Sequence, residues 1–513
     1  MGIRRRKLNP DRSSGIGVVG MQNVKKESEQ KDEGGIMELN FGRVVDLPEE
    51  EQQWLRELKY IYDYHRSANR KKRRYYNGKI TMNEVNLGIA LPRGLGKLEI
   101  GCAWGAKTVD VLSSRSMFDG FVTENGTKSD DMSEIMKRNH LITEYNKAVK
   151  EELKYGCAFA AVSGEVGNAR VRFYSPHCAA AAWDASSGRI KYGFAFEDAR
   201  RDESDITWSP EHVNFYTETD IWELDRVGGT WYATQNPQEF GEPMMVALIW
   251  DATNDKPFGQ SRLKEPIRRL IQGYVRTVAN ATIGLEFATS PQKYLLGVSD
   301  EQYDTLINDK FKQYVGSILY STNNPETGEK PTYGQLSQGN IEPHVQMLRM
   351  LATQYSAATG LAVTDVGVVN DANPTSSEAI IAQSQTLILM AEQLNRANGD
   401  VLYRLGRMML AIERGVTPDE LPEEEQGIIA HFKNPAMPSV ASTTDAALKI
   451  ATAREGFAQT DIFLEMIGFD QADIRRIRAQ EQRAKGESIL TEEFTNADHG
   501  EGVDGIHNED VTD

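Results

Sequence analysis

The sequence predicts an α+β fold built in several modules, and three observations carry that expectation. Hydrophobicity alternates with period two between Lys154 and Trp250, two long helical stretches bracket a short mixed segment further on, and 513 residues are too many for one compact core. Hydrophobic residues at 40% and charged residues at 26% are ordinary globular values, which argues against wholesale disorder and against a fibrous chain.

Residues 1–39 are rich in Gly, Lys and Glu without apolar periodicity, so a disordered N-terminal arm is expected there. A helix should open at Pro48, taken as its first position, run through Glu49, Glu50 and Glu51, and place Trp54, Leu55, Leu58, Ile61 and Tyr62 at helical spacing. Its far end carries Arg66, Arg70, Lys71, Lys72, Arg73 and Arg74, where cations favour the negative end of the helix dipole. A solvated helix end accounts for that run; contact with DNA or an acidic neighbouring subunit is the alternative. The alternating runs 158–162, 170–174, 192–196 and 244–249 then read as antiparallel strands, punctuated by Gly164, Gly188 and the Gly228-Gly229 pair.

From Phe258 to Phe287 the spacing is helical again, with Leu263, Ile267, Leu270, Tyr274, Val278, Ala281 and Leu285 three and four apart. About 28 residues at 1.5 Å each make a rod roughly 40 Å long. A helix is expected around Ser299–Lys312, a strand over Tyr314–Tyr320, and a loop at Asn323–Gly328. A second long helix runs from Ile341 to Thr359 by Val345, Leu348, Leu351 and Tyr355, and stops at Gly360. Leu361–Pro374 is poor helix sequence. Thr375-Ser376-Ser377-Glu378 is a capping box that should start a helix of up to about 37 residues, or about 55 Å, ending near Glu413. After an acidic, Pro-containing stretch come three shorter pieces: Thr443–Phe457, one capped by Thr460 and stopped by Gly468, and one capped by Asp470 running to Gly486. Residues 486–513 hold nine acids and no Lys or Arg, and should be disordered.

Signatures of enzymatic chemistry fail one by one. Gly94-Leu95-Gly96-Lys97 tempts a phosphate-loop reading, but that loop needs Gly six positions before its Lys and Ser or Thr after it, where Leu91 and Leu98 stand. The eight His form no HExxH or His/Cys cluster, no serine sits in GxSxG, and Asp130-Asp131 reads as solvated. His177 beside Cys178 reads as packing or a loop. Cys102, Cys157 and Cys178 are odd in number and far apart, which suits a reducing compartment and argues against a disulfide framework or zinc site. No 18-residue apolar run is present, and Leu8-Asn9-Pro10 replaces the apolar core of a signal peptide, so neither a membrane span nor secretion by that route is expected. No enzyme activity, metal or cofactor is expected.

The order of elements resembles the tailed-phage portal family. Asp255-Lys256-Pro257-Phe258-Gly259-Gln260-Ser261-Arg262-Leu263 is similar to the family's G-x-S lead-in to the first stem helix, and Ala288–Gly297 to its exit into the clip. Ala357-Ala358-Thr359-Gly360-Leu361 to Thr364 resembles the end of the second stem helix. Ser376–Ile380 with Leu387–Glu392 resembles the opening of the long wing helix, and Arg74–Lys79 the N-terminal wing. The resemblance spans about residues 50–480 and implies a wing at 40–257, stem helices at 258–286 and 341–360, and a clip at 287–340. It further implies a tunnel loop at 361–375, a wing helix with its following segment at 376–439, and a crown at 440–485.

By that resemblance the chain is one of about twelve subunits of a ring at a unique capsid vertex of the virion, assembled in the host bacterial cytoplasm. Double-stranded DNA passes through the ring. Its partners are the terminase large subunit at the clip, the major capsid and scaffolding proteins, and head-completion or adaptor proteins, with no membrane. The implied sites are a DNA-facing loop of Val363, Asp365, Val366, Val368, Val369 and Asp371; a stem interface of Leu263, Ile267, Leu270, Tyr274 and Val278; and a docking surface at Asn323, Asn324, Glu326 and Lys330.

The formal net charge of -17 fits a channel that DNA passes without being held, because each static Lys or Arg contact to phosphate deepens a well the polymer must leave. Ordinary solubility explains the charge equally well. Arg262, Lys264, Arg268, Arg269 and Arg276 make the first stem helix locally basic and are expected to face neighbouring subunits or the outside. A cytoplasmic nucleic-acid-processing enzyme without a recognisable motif and another ring-shaped head or tail adaptor are the alternatives; particle size separates the first from a ring, and two stem helices separate the second.

Overall fold

The computed structural model describes residues 36–37, 39–80, 100–123, 130–196, 207–208, 210–289, 293–296, 328, 330, 332–335, 340–367, 377–436, 440–469 and 471–498. The described residues form two compact units that divide between Pro435 and Ala436. The architecture is α+β, as the sequence predicts.

In the larger unit the helices are α1 (Glu49–Tyr76), α2 (Trp104–Ser113), α3 (Asp130–Arg138), α4 (Leu141–Tyr155), α5 (Glu265–Thr289), α6 (Glu342–Thr359), α7 (Ser377–Arg414) and the short α8 (Glu423–Gln426). A five-stranded antiparallel sheet follows the order β10 (Thr230–Pro237), β9 (Asp220–Val227), β8 (His212–Tyr216), β6 (Arg189–Ala195), β5 (Ala179–Asp184). A three-stranded antiparallel sheet sets β3 (Cys157–Glu165) between β11 (Met245–Ile249) and β4 (Asn168–Tyr174). Between α5 and α6, β12 (Lys293–Leu296) pairs with β13 (Thr332–Gln335); β2 (Phe118–Val122) pairs with β14 (Ile429–Phe432). The strands expected from period-two alternation are therefore present, except that Lys154 still belongs to α4, because helix burial of Leu153 and Tyr155 runs up to the left-handed Gly156.

One core lies under the five-stranded sheet. Leu55, Leu58 and Tyr62 of α1 and the strap Leu39, Phe41, Val44 and Leu47 pack on Phe194, Phe215, Trp222 and Trp231. The Trp231 indole donates to the carbonyl of Asn40 at 2.9 Å. The expected disordered arm is thus corrected at its end: Ile36–Met37 (β1) pairs in parallel with Thr207–Trp208 (β7), and Leu39 is buried, since the strap supplies apolar cover that the sheet needs. Residues 1–35 lie outside the described residues. Pro48 precedes α1 as its N-cap and does not occupy its first turn.

The second core joins the three-stranded sheet to α2, α4, α5, α6 and α7. A buried polar chain crosses it: Asn398 on α7 donates to Glu152 on α4 at 2.9 Å and to the Tyr145 hydroxyl at 3.1 Å, and Tyr145 meets Ser116 at 2.9 Å. Burial pushes the Glu152 carboxyl up to about 8, and its second oxygen faces no donor.

Helix α5 starts at Glu265, seven residues later than expected, because Pro266 suits a first turn and the preceding residues are committed to other bonds. Its 25 residues still span about 37 Å. Helix α6 ends at Gly360, whose φ of 73° is a left-handed stop, and α7 runs for 38 residues, about 57 Å. The capping-box residue Thr375 lies outside the described residues, as do the helix and strand expected between 299 and 320.

The smaller unit contains α9 (Val440–Ala453), a 3-10 turn at Phe457–Gln459, α10 (Asp461–Met466) and α11 (Gln471–Asp498). The Thr460 hydroxyl caps α10 by accepting from the Phe463 amide at 3.3 Å. The expectation of a disordered tail from 486 is corrected as far as Asp498: Ile489, Leu490 and Phe494 keep helical spacing, and α11 continues through Gly486.

Glu152 generates a prediction about pH. Its folded-state value lies above the ordinary 4.5, so its share of stability is complete below that value and is lost as pH rises towards about 8. Relative to E152Q, the natural chain should lose up to about 1.4 kcal/mol per pH unit across that window. Urea unfolding of both proteins between pH 5 and 8.5 measures the difference; parallel curves would refute a buried neutral acid.

Candidate functional site

The segment leading into α5 is shaped by close backbone approach. Gly259 has φ of 70°, and a Cβ there would lie 2.1 Å from the Trp250 carbonyl oxygen, so no other residue fits without moving the β11 end. The Ser261 hydroxyl donates to the Lys154 carbonyl at 2.6 Å and accepts from the Leu263 amide at 2.9 Å. That closes the end of α4 onto the start of α5. The G-x-S spacing thus has a local physical basis.

Helices α5 and α6 run in opposite directions: Arg262, just before α5, meets Thr359 at the end of α6, and Gly273 faces Leu351 further along. Trp104, the first residue of α2, stands at this base, with ring centroids 4.5 Å from Tyr274 and 4.7 Å from Tyr355. Its indole N–H donates to the Val366 carbonyl at 3.3 Å. The Tyr355 hydroxyl donates to the Trp104 carbonyl at 2.9 Å and bonds the Thr108 hydroxyl.

The segment after α6 is short and anchored. Ser356 donates to the Leu361 carbonyl at 2.6 Å, and a 3-10 turn covers Val363–Val366 before Gly367. Of the expected DNA-facing set, Val363 and Asp365 are half-buried in this turn. Val366 is buried in the subunit's own core, so its side chain is removed from the expected lining; the apolar pocket beside Trp104 outbids exposure. Val368, Val369 and Asp371 lie outside the described residues.

The expected stem interface also divides. Leu263, which precedes the helix, and Ile267 are buried within the chain, continuing into the inward stripe Ile271, Val275 and Ala279. Their side chains are taken up by the chain's own core. Leu270, Tyr274 and Val278 are half-buried at the margins of that stripe. Among the described residues the uncovered large apolar side chains of the pair are Leu285 at 44% exposure on α5, with Val345 at 36%, Met347 at 40% and Met350 at 47% on α6. Of the expected clip residues, Lys330 is exposed, and Asn323, Asn324 and Glu326 lie outside the described residues.

The basic residues of this region are mostly accounted for inside the chain. Lys264 pairs with Asp251 at 2.5 Å, Arg269 with Glu265 at 2.9 Å, and Arg268 donates to the Leu263 carbonyl at 2.8 Å. Arg262 is buried, which corrects its expected outward placement. On α1, Lys72 donates to the Tyr155 carbonyl at 2.7 Å, and burial brings its amine down to about 8. The sequence pattern placed Tyr355 only on the apolar spacing of its helix and singled out neither Trp104 nor Thr108, for which a Trp after the Gly-rich stretch was the one signal.

Burial holds the thiols and a histidine of this unit in their neutral forms. Burial pushes the Cys157 thiol up to about 12 and those of Cys102 and Cys178 to about 11, so none is a thiolate at neutral pH. Burial also takes His177 down to about 4, packed on Tyr155. Among the described residues no three His, Cys, Asp or Glu cluster as metal ligands, and no helix is long and apolar enough to cross a membrane. The site is mechanical: a joint where two long helices, the turn after the second, and α2 are fastened.

The family described as phage portal protein, SPP1 Gp6-like, matches residues 55–487, and the chain belongs to it. That is a structural family, in agreement with the expectation that the chain is not an enzyme. Among solved structures, the neck of a native GTA particle computed with C12 symmetry is 13% identical, covering 77% of this chain and 99% of that one at a TM-score of 0.42. The neck of an empty GTA particle computed with C6 symmetry is also 13% identical, covering 74% and 96% at 0.42. No curated protein matches the chain.

Gly259→Ala should destabilise the larger unit by about 2 kcal/mol or more, since both the left-handed φ and the contact with Trp250 oppose a Cβ. Thermal unfolding checks this, and an unchanged midpoint would remove the close-packing account of the motif.

Proposed function

We propose that the chain is one subunit of the portal ring, about twelve copies closing around a channel for double-stranded DNA at one capsid vertex. The observation that carries this reading is the uncovered apolar surface of the helix pair in a member of the portal family. Leu285, Met347 and Met350 stand exposed on helices whose opposite stripe is already filled, so a neighbouring subunit is the natural cover. Two different faces of each subunit would meet, a head-to-tail contact that gives a ring when the rotation between neighbours closes. Leu270 and Val278, at the edge of the stripe, would join that interface.

In this reading 258–286 and 341–360 are the stem, and 287–340, which holds the β12–β13 pair, is the clip, where the terminase large subunit docks during packaging and head-completion proteins dock afterwards. Asn323, Asn324, Glu326 and Lys330 are its candidate contacts. The β-rich region with α7 is the wing, which meets major capsid and scaffolding proteins, and 440–485 is the crown. Residues 361–375 form the tunnel loop, with Val363, Asp365, Val368, Val369 and Asp371 presented to DNA. Apolar and acidic side chains there would guide phosphates without anchoring them. The work of packaging comes from the separate motor, because this chain carries no phosphate-loop motif. Packaging, retention and ejection of the genome follow from one channel.

Two measurements test this. The natural protein should form particles about twelve times the 57.4 kDa chain mass, and Met347→Asp with Met350→Asp should reduce them to subunits of unchanged helix content. Mass photometry with circular dichroism reads both, and a monomeric natural protein would defeat the ring. Asp371→Lys should leave rings intact and shorten the DNA packaged or retained in particles; full-length DNA held at the natural rate would remove the loop from the channel.

A further inference from the structure

Arg262 is buried, yet no carboxylate among the described residues pairs with it. Its guanidinium is instead spread over three elements. Nε donates to the Thr108 carbonyl on α2 at 2.9 Å, one terminal nitrogen donates to the Thr359 carbonyl at the last residue of α6 at 2.7 Å, and the other lies 3.3 Å from the Met390 sulfur on α7. The plane also sits over the Trp250 ring, 5.7 Å from its centroid. The Arg262 backbone amide donates to the Leu153 carbonyl at the end of α4, so the residue itself cannot drift.

Taking a guanidinium out of water is costly, and hydrogen bonds to neutral carbonyls recover only part of that cost. An apolar residue would be the ordinary choice for stability alone. What it could not do is bridge the gap. A cleft of about 690 Å³ opens beside the guanidinium, lined by Trp250, Asp251, Lys264, Thr359, Met390 and Gln393, while Gly360 comes close to Thr386 and Met390 of α7 beside it. A planar fork of donors can reach across such a space in a fixed geometry; a lysine ammonium is a single point. Thr359 is moreover the negative end of the α6 dipole, next to Gly360 where the chain turns. Burial lowers the Arg262 value only to about 10, so the clamp stays charged near neutrality.

We propose that Arg262 is the positioning residue that sets where α6 stops and the following loop begins, and that ties this point to the lead-in of α5 and to α7. The clamp thereby couples the loop to the long helix by hydrogen bonds, alongside the close approach of Gly360 to Thr386 and Met390. The consequence for DNA rests on the channel reading above; the clamp itself does not.

The test is hydrogen exchange on the assembled full-length protein, comparing Arg262→Met and Arg262→Lys with the natural chain. The amides to watch are Gly360, Asp365 and Gly367, bonded to Ser356, Ala362 and Thr364. In R262M their exchange should speed at least tenfold while the β8–β9 amides stay within twofold; R262K, which can hold one carbonyl at a time, should fall between. Unchanged exchange at 360–367, or equal acceleration in β8–β9, overturns the clamp. If R262M is not recovered folded, R262K decides alone by the same comparison. Packaged DNA length in the same variants should fall in the order natural, Lys, Met. A loosened loop with full-length packaging would leave the clamp standing and refute the channel reading.

Discussion

A helix that ends inside a protein leaves carbonyl oxygens in need of donors, and the rest of this structure is organised around meeting that need at Thr359. Arg262 supplies one donor, Thr359 and Ser356 bond their own backbone neighbours, and Trp104 holds the turn that follows through Val366. Four chain segments separated by up to 262 positions meet at this joint.

The larger unit solves a second problem by dividing its apolar residues between two cores. The five-stranded sheet is covered by α1 and the strap at 39–47, while the three-stranded sheet is covered by α4 and α7. Helices α5 and α6 then have only one stripe of core to share, Ile267 to Ala279 against Leu351, Ala352 and Tyr355. Their other faces keep the exposed apolar side chains of Leu285, Val345, Met347 and Met350.

Polar groups in the interior do a different task from the apolar ones. The Glu152–Asn398–Tyr145–Ser116 chain costs stability at high pH, yet it pins α7 to α4 at one rotation and one height. The Arg262 contact at Met390 and the pairing of Glu413 with Arg138 add attachments towards the two ends of the 38-residue α7.

Much of the element order could be read from the sequence alone. Period-two runs such as Arg170–Tyr174 and Met245–Ile249 became strands, Gly360 ended a helix by its left-handed φ, and Thr460 capped another, because these signals act between residues a few positions apart. What sequence periodicity could not decide was which side of each element faces its own chain. Leu263, Ile267 and Val366 have the same apolar character as Val278, but only the tertiary structure puts the first three against α2, α6 and Trp104. The charge on Arg262 reads as a surface residue, because a single sequence does not reveal carbonyl partners 97 and 154 positions away. The same limit hid Trp104 and the partners of Tyr355. Local propensity and spacing determined the helices, strands and stops of this protein; long-range desolvation and hydrogen-bond satisfaction, which exist only once distant segments meet, decided the joint.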